Sequence, residues 1–372
     1  MSDLFVSAFS PTLDSGRALR SYSVVRALAA LGPVDLVYAA FGGEVAPEYR
    51  AIAGLTLHPC LPSRGPRRAV AYTRARTRGV PDGFARAVSP ELAARAGELA
   101  AAPGRGRVVA DGPTAAATLL PLAARRPVIY NAHNLESAYR RGAFAQGLGT
   151  PEQLRRFERR LLEAAAESWM VSEADVQGAR ALAPGALVRY VPNVVDVAAI
   201  APVHHEHPGR RALFLADFTY APNADALRFL LDEVLPRVWE QMPDARLVLA
   251  GRGLDGAPST DPRVERLGFV PTPADAYAVA DCALVPLLDG GGSPLKFVEA
   301  LAYGLPVVAT PVAAAGLEVR EGEHYVGAEG AEAFAAAVTR VLRHGAPELS
   351  ARGRELARRR YSIEALTETI AA

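Results

Sequence analysis

Short apolar runs of strand type alternate with helical patterns along nearly the whole chain, and the alternation runs twice. In the first run, strands are expected at residues 4–9, 34–38, 108–110, 128–130, 169–171 and 188–191. Helical patterns at 18–31, 151–166 and 173–183 lie between them. A polar link with His and Pro, residues 202–210, follows. Strands at 212–216, 246–250, 264–269, 282–286 and 307–309 then alternate with helices at 224–241, 273–280, 294–303 and 331–344. Such alternation favours parallel sheets, because each crossover helix returns the chain to the same end of the sheet. A chain of 372 residues holds about two such α/β domains, each with its own core. Residues 349–372 read as two helical pieces broken near Arg360, Tyr361 and Ser362.

The chain has forty arginines and a single lysine, Lys296. A compact ammonium on a flexible stem is chemically unlike a planar guanidinium, so this exception marks a position that needs a point charge. Its surroundings, DGGGSPLKFVEALAYGLPVVAT from Asp289 to Thr310, place Gly290, Gly291 and Gly292 where an apolar strand hands over to a helix. Ser293 is the expected N-cap and Pro294 the first helical residue. Leu295, Val298 and Ala302 form an apolar stripe, and Gly304 and Pro306 end the helix. Free N–H groups and the positive end of the helix dipole converge at such a junction, which suits a phosphate. A cation in the first turn is locally unfavourable unless an anion is near. Glu299 lies three residues on, where it either pairs weakly with Lys296 or serves sugar hydroxyls.

The segment from Gly290 to Gly316 resembles the donor-site signature of retaining nucleotide-sugar glycosyltransferases of family 4 (glycosyltransferase group 1). Residues 214–226, FLADFTYAPNADA, resemble the start of the donor domain in one branch of that family. Residues 190–196, YVPNVVD, resemble its domain junction, and 131–136, NAHNLE, resemble an acceptor-domain element. The resemblance implies an α/β GT-B fold: two Rossmann-like domains facing a central cleft. It implies an acceptor-side domain at 1–192, a donor domain at 193–355 and a final helix, 356–372, that returns to the first domain. It further implies transfer from a UDP-, GDP- or TDP-linked sugar to a hydroxyl of a glycan, lipid or small natural product, without a metal or permanently bound cofactor. Lys296 and the backbone at Gly291, Gly292, Ser293 and Leu295 would serve the pyrophosphate, with Gly16 from the loop after the first strand. Glu299 would hold sugar hydroxyls, and Phe269 and Val270 would lie near the base. His133, at the carboxyl end of a strand, would approach the donor sugar; without the resemblance it reads as a loop residue ahead of an Asn134 cap. Arg17, Arg20 and Asn134 are acceptor-side candidates.

Several positions depart from the pattern. Many family members carry two glutamates eight positions apart; here Glu299 is the second, and Gly291 stands at the first. The usual Arg and Lys near the first donor-domain helix are absent from 216–220, and Val194 replaces a glycine. These departures keep two alternatives open. One is a pseudo-glycosyl coupling or epimerisation on the same fold; the other is a catalytically silent sugar-nucleotide-binding protein. A nicotinamide-dependent oxidoreductase lacks support, because no Gly-x-Gly-x-x-Gly turn follows the first strand.

Residues 1–189 carry a charge of +8 and the remainder −7. The cluster Arg64, Arg67, Arg68, Arg74, Arg76 and Arg78 is a solvated loop in the plainer reading, and a contact for an anionic membrane in the other. Without interleaved aromatics beyond Tyr72 it does not suit nucleic acid. Cys60 and Cys282 fall in different proposed domains, which argues against a disulfide framework. No secretory signal or membrane-spanning run is legible, so a cytoplasmic protein, peripheral at the inner membrane face, is expected. His204, His205 and His207 read as a solvated linker triplet.

Overall fold

The computed structural model describes residues 1–41, 44–138, 149–203, 209–254, 259–270, 272–290 and 292–372. Gly291 and the His204, His205 and His207 triplet lie outside the described residues. The chain divides into two compact units, Met1–Asn193 with Leu366–Ala372, and Val194–Ala365.

The first unit contains β1 (Ser2–Ser7), β2 (Val34–Ala39), β3 (Leu55–Cys60), β4 (Arg105–Asp111), β5 (Ile129–Asn131), β6 (Glu167–Met170) and β7 (Val188–Tyr190). They form one sheet in the order β3-β2-β1-β4-β5-β6-β7, paired in parallel throughout. Leu4, Phe5 and Val6 are all fully buried, as expected of a central parallel strand covered on both faces. Strand order reverses between β1 and β4, and such a reversal opens a crevice beyond the strands' carboxyl ends.

The second unit repeats the plan with β8 (Arg211–Leu215), β9 (Arg246–Ala250), β10 (Val264–Gly268), β11 (Cys282–Val285), β12 (Val307–Ala309) and β13 (Val326–Gly327). Their order is β10-β9-β8-β11-β12-β13, again parallel, with the reversal between β8 and β11.

Local signals explain many of the helix starts. Thr150 and Gln153 form a reciprocal capping box ahead of helix Pro151–Ala164, with Pro151 in the first turn. Ser15 caps helix Gly16–Leu31, and Ser89 caps Pro90–Ala100. The helix expected at 224–241 is interrupted: Ala221–Phe229 passes into a π-helical turn, Leu230–Val234, before Leu235–Gln241. Pro236 accounts for the break, since it lacks an N–H and its ring crowds the carbonyl four residues back. The two C-terminal helices are Pro347–Arg360 and Ile363–Ala371, divided at Tyr361 and Ser362. Leu356 and Ala357 are buried in the second unit's core, and Arg189 donates to the Thr369 carbonyl (2.8 Å) in the first. Of the arginine cluster read as a loop, Arg67, Arg68, Arg74 and Arg76 lie on helix Pro66–Thr77, with Arg64 before it and Arg78 at its C-cap.

Candidate functional site

In the first unit the crevice is built on a buried carboxylate. Asp111 ends β4 and is 1% exposed. Its Oδ2 accepts from Ser7 Oγ (3.1 Å), at the end of β1, and from Ser21 Oγ (2.7 Å). Its Oδ1 lies 3.0 Å from Asn131 Nδ2 and 2.9 Å from His133 Nε2. Burial alone would raise the Asp111 carboxyl, but His133, Ser21 and Arg17 outweigh it and hold the group below the usual range. Gly112 follows with φ 77°, and a Cβ there would come within 2.7 Å of His133 Cε1. Only glycine lets the imidazole lie this close to the backbone.

The chain after His133 is fixed by two further buried acids. Leu135 N donates to Asp175 Oδ1 (3.3 Å), while Glu136 N and Ser137 N donate to the two oxygens of Glu158 (2.5 and 2.8 Å). Burial, then the charges of Glu158 and Asp175, push Glu136 up to about 8; burial pushes Glu158 up to about 7. Where a helix was expected after Asn134, the described residues form a 3₁₀ turn, Glu136–Ala138.

Gly16 is exposed and opens helix Gly16–Leu31, whose Ser15 cap accepts from Ala18 N. Arg17 stacks over Phe9, 3.9 Å from the ring centroid. Arg20 departs from its acceptor-side expectation. It is 2% exposed, and its NH1 donates to the carbonyls of Val191 (3.0 Å) and Pro192 (3.3 Å) and to Asn193 Oδ1 (3.2 Å). Burial lowers this guanidinium to about 10. The helical stripe that carries Arg20 into the interior takes it away from solvent, so it holds the chain at 191–193.

In the second unit the crevice holds a part-buried cation. The helix after β11 is Leu295–Ala302, so Pro294 occupies the cap position and Ser293, the expected cap, lies one residue before it. Pro294 has an extended ψ of 109°, which excludes it from the helix proper. Gly290 and Gly292 take φ values of 132° and 70°, open to glycine and strained for other residues. Lys296 Nζ donates to Asn223 Oδ1 (2.7 Å) and lies 4.9 Å from the Phe214 ring centroid. Asn223 in turn donates through Nδ2 to the Asp217 carbonyl (2.8 Å), joining the helix after β11 to the loop after β8. Burial pushes the Lys296 ammonium down to about 7, although Glu299 and Asp217 pull it up. Glu299 is raised, first by burial, and is held through Oε2 by the Tyr277 hydroxyl (3.3 Å). The same hydroxyl lies 3.2 Å from the Lys296 carbonyl, so its one hydrogen is shared between the two acceptors, and the ring stacks on Tyr303 at 4.4 Å. Beyond β9 and β10, Arg252 lies over the exposed ring of Phe269 (5.2 Å), and Val270 is part-buried.

Each unit therefore gathers its expected residues at its own strand-order reversal: His133, Gly16 and Arg17 in one, Lys296, Glu299, Gly292, Ser293 and Leu295 in the other. Sequence reasoning missed Asp111, Gly112, Asn223 and Tyr277. The signal for Asp111 was present: an Asp-Gly pair closing the apolar run Val108-Val109-Ala110.

Residues 209–344 match the family described as Glycosyl transferases group 1, less than half of the chain. A phosphatidyl-myo-inositol mannosyltransferase of Mycobacterium leprae (strain TN) is 33% identical to the chain over 167 residues. The match spans 41% of this chain and 44% of that relative, less than half of either. Solved structures are similar in fold over the whole chain. HepE of Anabaena, in complex with UDP and glucose, shares 14% identity with a TM-score of 0.70, covering 100% of this chain and 98% of its own. Sucrose-phosphate synthase of Thermosynechococcus elongatus shares 18% identity with a TM-score of 0.73 over the same fractions. At these identities the likeness establishes the fold, which is α/β and matches GT-B glycosyltransferases. Among the described residues, no helix is long and apolar enough to cross a membrane, and no three His, Cys, Asp or Glu side chains cluster to hold a metal ion.

Proposed function

We propose that the protein is a retaining glycosyltransferase that moves a sugar from a nucleoside-diphosphate sugar to an acceptor hydroxyl. The observation that carries this reading is the position of Lys296. The chain's single lysine lies desolvated at the β8/β11 reversal, beside a glycine-rich helix start, with a neutral amide oxygen as its hydrogen-bond partner. An ammonium so placed gains most from an anion.

As the bond from the sugar's anomeric carbon to phosphate breaks, charge grows on the leaving pyrophosphate. Lys296 and the backbone N–H groups of Ser293 and Leu295, Pro294 having none, stabilise it, which is commonly a large catalytic contribution. Glycine at 292, and at 291 outside the described residues, lets the backbone approach, while Glu299 takes sugar hydroxyls. The acceptor oxygen attacks from the face the phosphate leaves, and its proton passes to the departing phosphate oxygen. Phe269 and Val270 serve the base. In the first unit, His133 approaches the sugar, Gly16 offers a helix start to phosphate, and Arg17 and Asn134 face the acceptor. The UDP held by HepE makes UDP the first nucleotide to try. No metal takes part, so chelation with EDTA leaves turnover unchanged.

The partner proposed beyond the nucleotide sugar and a glycan, lipid or small natural product as acceptor is an anionic membrane surface, met by helix Pro66–Thr77. Its arginines are exposed, and so are Leu61 (78%), Val70 (66%) and Phe41 (41%), an apolar and cationic combination suited to a lipid interface. Cosedimentation with phosphatidylglycerol vesicles but not phosphatidylcholine vesicles is the expected result, lost on reversing Arg67 and Arg74 to Glu.

Calorimetry with UDP, GDP and TDP tests the main reading. Selective binding of one nucleotide, weakened by Glu299→Ala, is expected. Folded protein that binds none of them would turn the reading towards an interaction protein on an inherited fold.

A further inference from the structure

We propose that Asp111 is a positioning residue for His133, holding the imidazole with its proton on Nε2 so that Nδ1 is the ring's basic nitrogen. The argument begins with the carboxylate's other contacts. Ser7, Ser21 and Asn131 reach Asp111 through groups able to donate, at 3.1, 2.7 and 3.0 Å. A carboxylate surrounded in this way and kept ionised accepts from every partner, so the nitrogen 2.9 Å away, Nε2, carries hydrogen. Asp111 is 1% exposed, too buried to touch a substrate, so its chemical effect must pass through the imidazole.

The surrounding structure restricts the ring further. Gly112 at φ 77° leaves space that any Cβ would take, 2.7 Å from Cε1 and 3.0 Å from Nδ1. Asp175 and Glu158, 3% and 1% exposed, fasten the next three backbone N–H groups that matter, those of Leu135, Glu136 and Ser137. Three buried acids from three elements thus converge on one short segment. Buried charges are costly and persist where hydrogen bonds satisfy them. Here Asp111 bonds the ring itself, while Asp175 and Glu158 hold the backbone that follows it.

The kinetic consequence rests on the glycosyl-transfer reading, whereas the tautomer does not. The test is therefore nitrogen-15 NMR of His133 in the full chain, with His133→Gln to identify its signals. The neutral ring of the wild type is expected in the Nε2–H form. Asp111→Asn keeps the size of the side chain but can present an amide donor to the imidazole, so the ring shifts to Nδ1–H. Ser21→Ala, which removes a donor to Asp111 and leaves the His133 contact, keeps Nε2–H. With an accepted donor, Asp111→Asn lowers kcat about 10–100-fold while donor KM stays within about threefold. An Nδ1–H ring in the wild type, or unchanged ring signals in Asp111→Asn, overturns the proposal. If Asp111→Asn fails to fold, the wild-type spectrum still decides. Nε2–H in the wild type without transfer from any donor supports the positioning and overturns only the glycosyl-transfer reading.

Discussion

Among the described residues, a buried carboxylate at the β1/β4 reversal is met by four side chains, and a part-buried ammonium at β8/β11 by one amide oxygen. The topology is the same and the electrostatics are opposite. Asp111 is below its ordinary range because its hydrogen bonds and charged neighbours exceed the cost of burial. Lys296 is down at about 7 because burial exceeds what Glu299 and Asp217 return. A saturated charge gains little from a new partner and serves best as a rigid support. An under-compensated charge has binding energy to offer. The comparison assigns organisation to the first site and anion capture to the second.

The largest effect that could break this contrast is at Lys296. Lys296→Ala is expected to reduce turnover on the order of 100-fold in initial-rate assays, and a loss below about tenfold would remove the charge role. Lys296→Arg should restore little, because the longer planar group does not fit beside Asn223 as a point charge does.

A sharper version of the same contrast is proton uptake. A bound phosphate raises the Lys296 pKa from about 7, so nucleotide binding at pH 8 should draw a proton from solution. Calorimetry in buffers of different ionisation enthalpy measures this, and Lys296→Ala should abolish it.

The acids behind His133 give a smaller effect on stability. Glu136 at about 8 and Glu158 at about 7 lie above their ordinary value of 4.5. The folded state therefore binds protons more tightly than the unfolded chain, and this contribution to stability falls as pH rises from about 4.5 to about 8. Urea midpoints should drop between pH 6 and pH 8, with a shallower drop in Glu136→Gln.

The smallest effect is at Tyr277. Tyr277→Phe removes the hydroxyl that holds Glu299 and should cost about 1 kcal/mol in urea unfolding. Donor KM should rise a few-fold, with kcat little changed.

Much of the fold was legible because period and punctuation carry it. Apolar runs such as Val307-Val308-Ala309 stand out between turn residues, and strand β12 spans those same three positions. Helix Ala331–His344 likewise has the limits its pattern predicts. Strand β3 was not legible, since Leu55–Cys60 interleaves His58 and Pro59 at a half-covered sheet edge. Helix Pro66–Thr77 was hidden because it buries little, leaving no apolar stripe to read.

For the site, the sequence by itself determined the chemical outliers: one lysine among forty arginines, glycines before it, a glutamate three residues after it, and a histidine closing a strand. Those are local facts of residue type and spacing. Only the tertiary structure decided the partners, because partners come from strands adjacent in space and distant in sequence. Lys296 meets Asn223, seventy-three positions away, and Ser7 meets Asp111 across one hundred and four. Burial decided the rest. The same arginine side chain is a stacked, partly exposed group at Arg17 and a clamp inside the fold at Arg20, and only the direction in which the helix turns each one separates them.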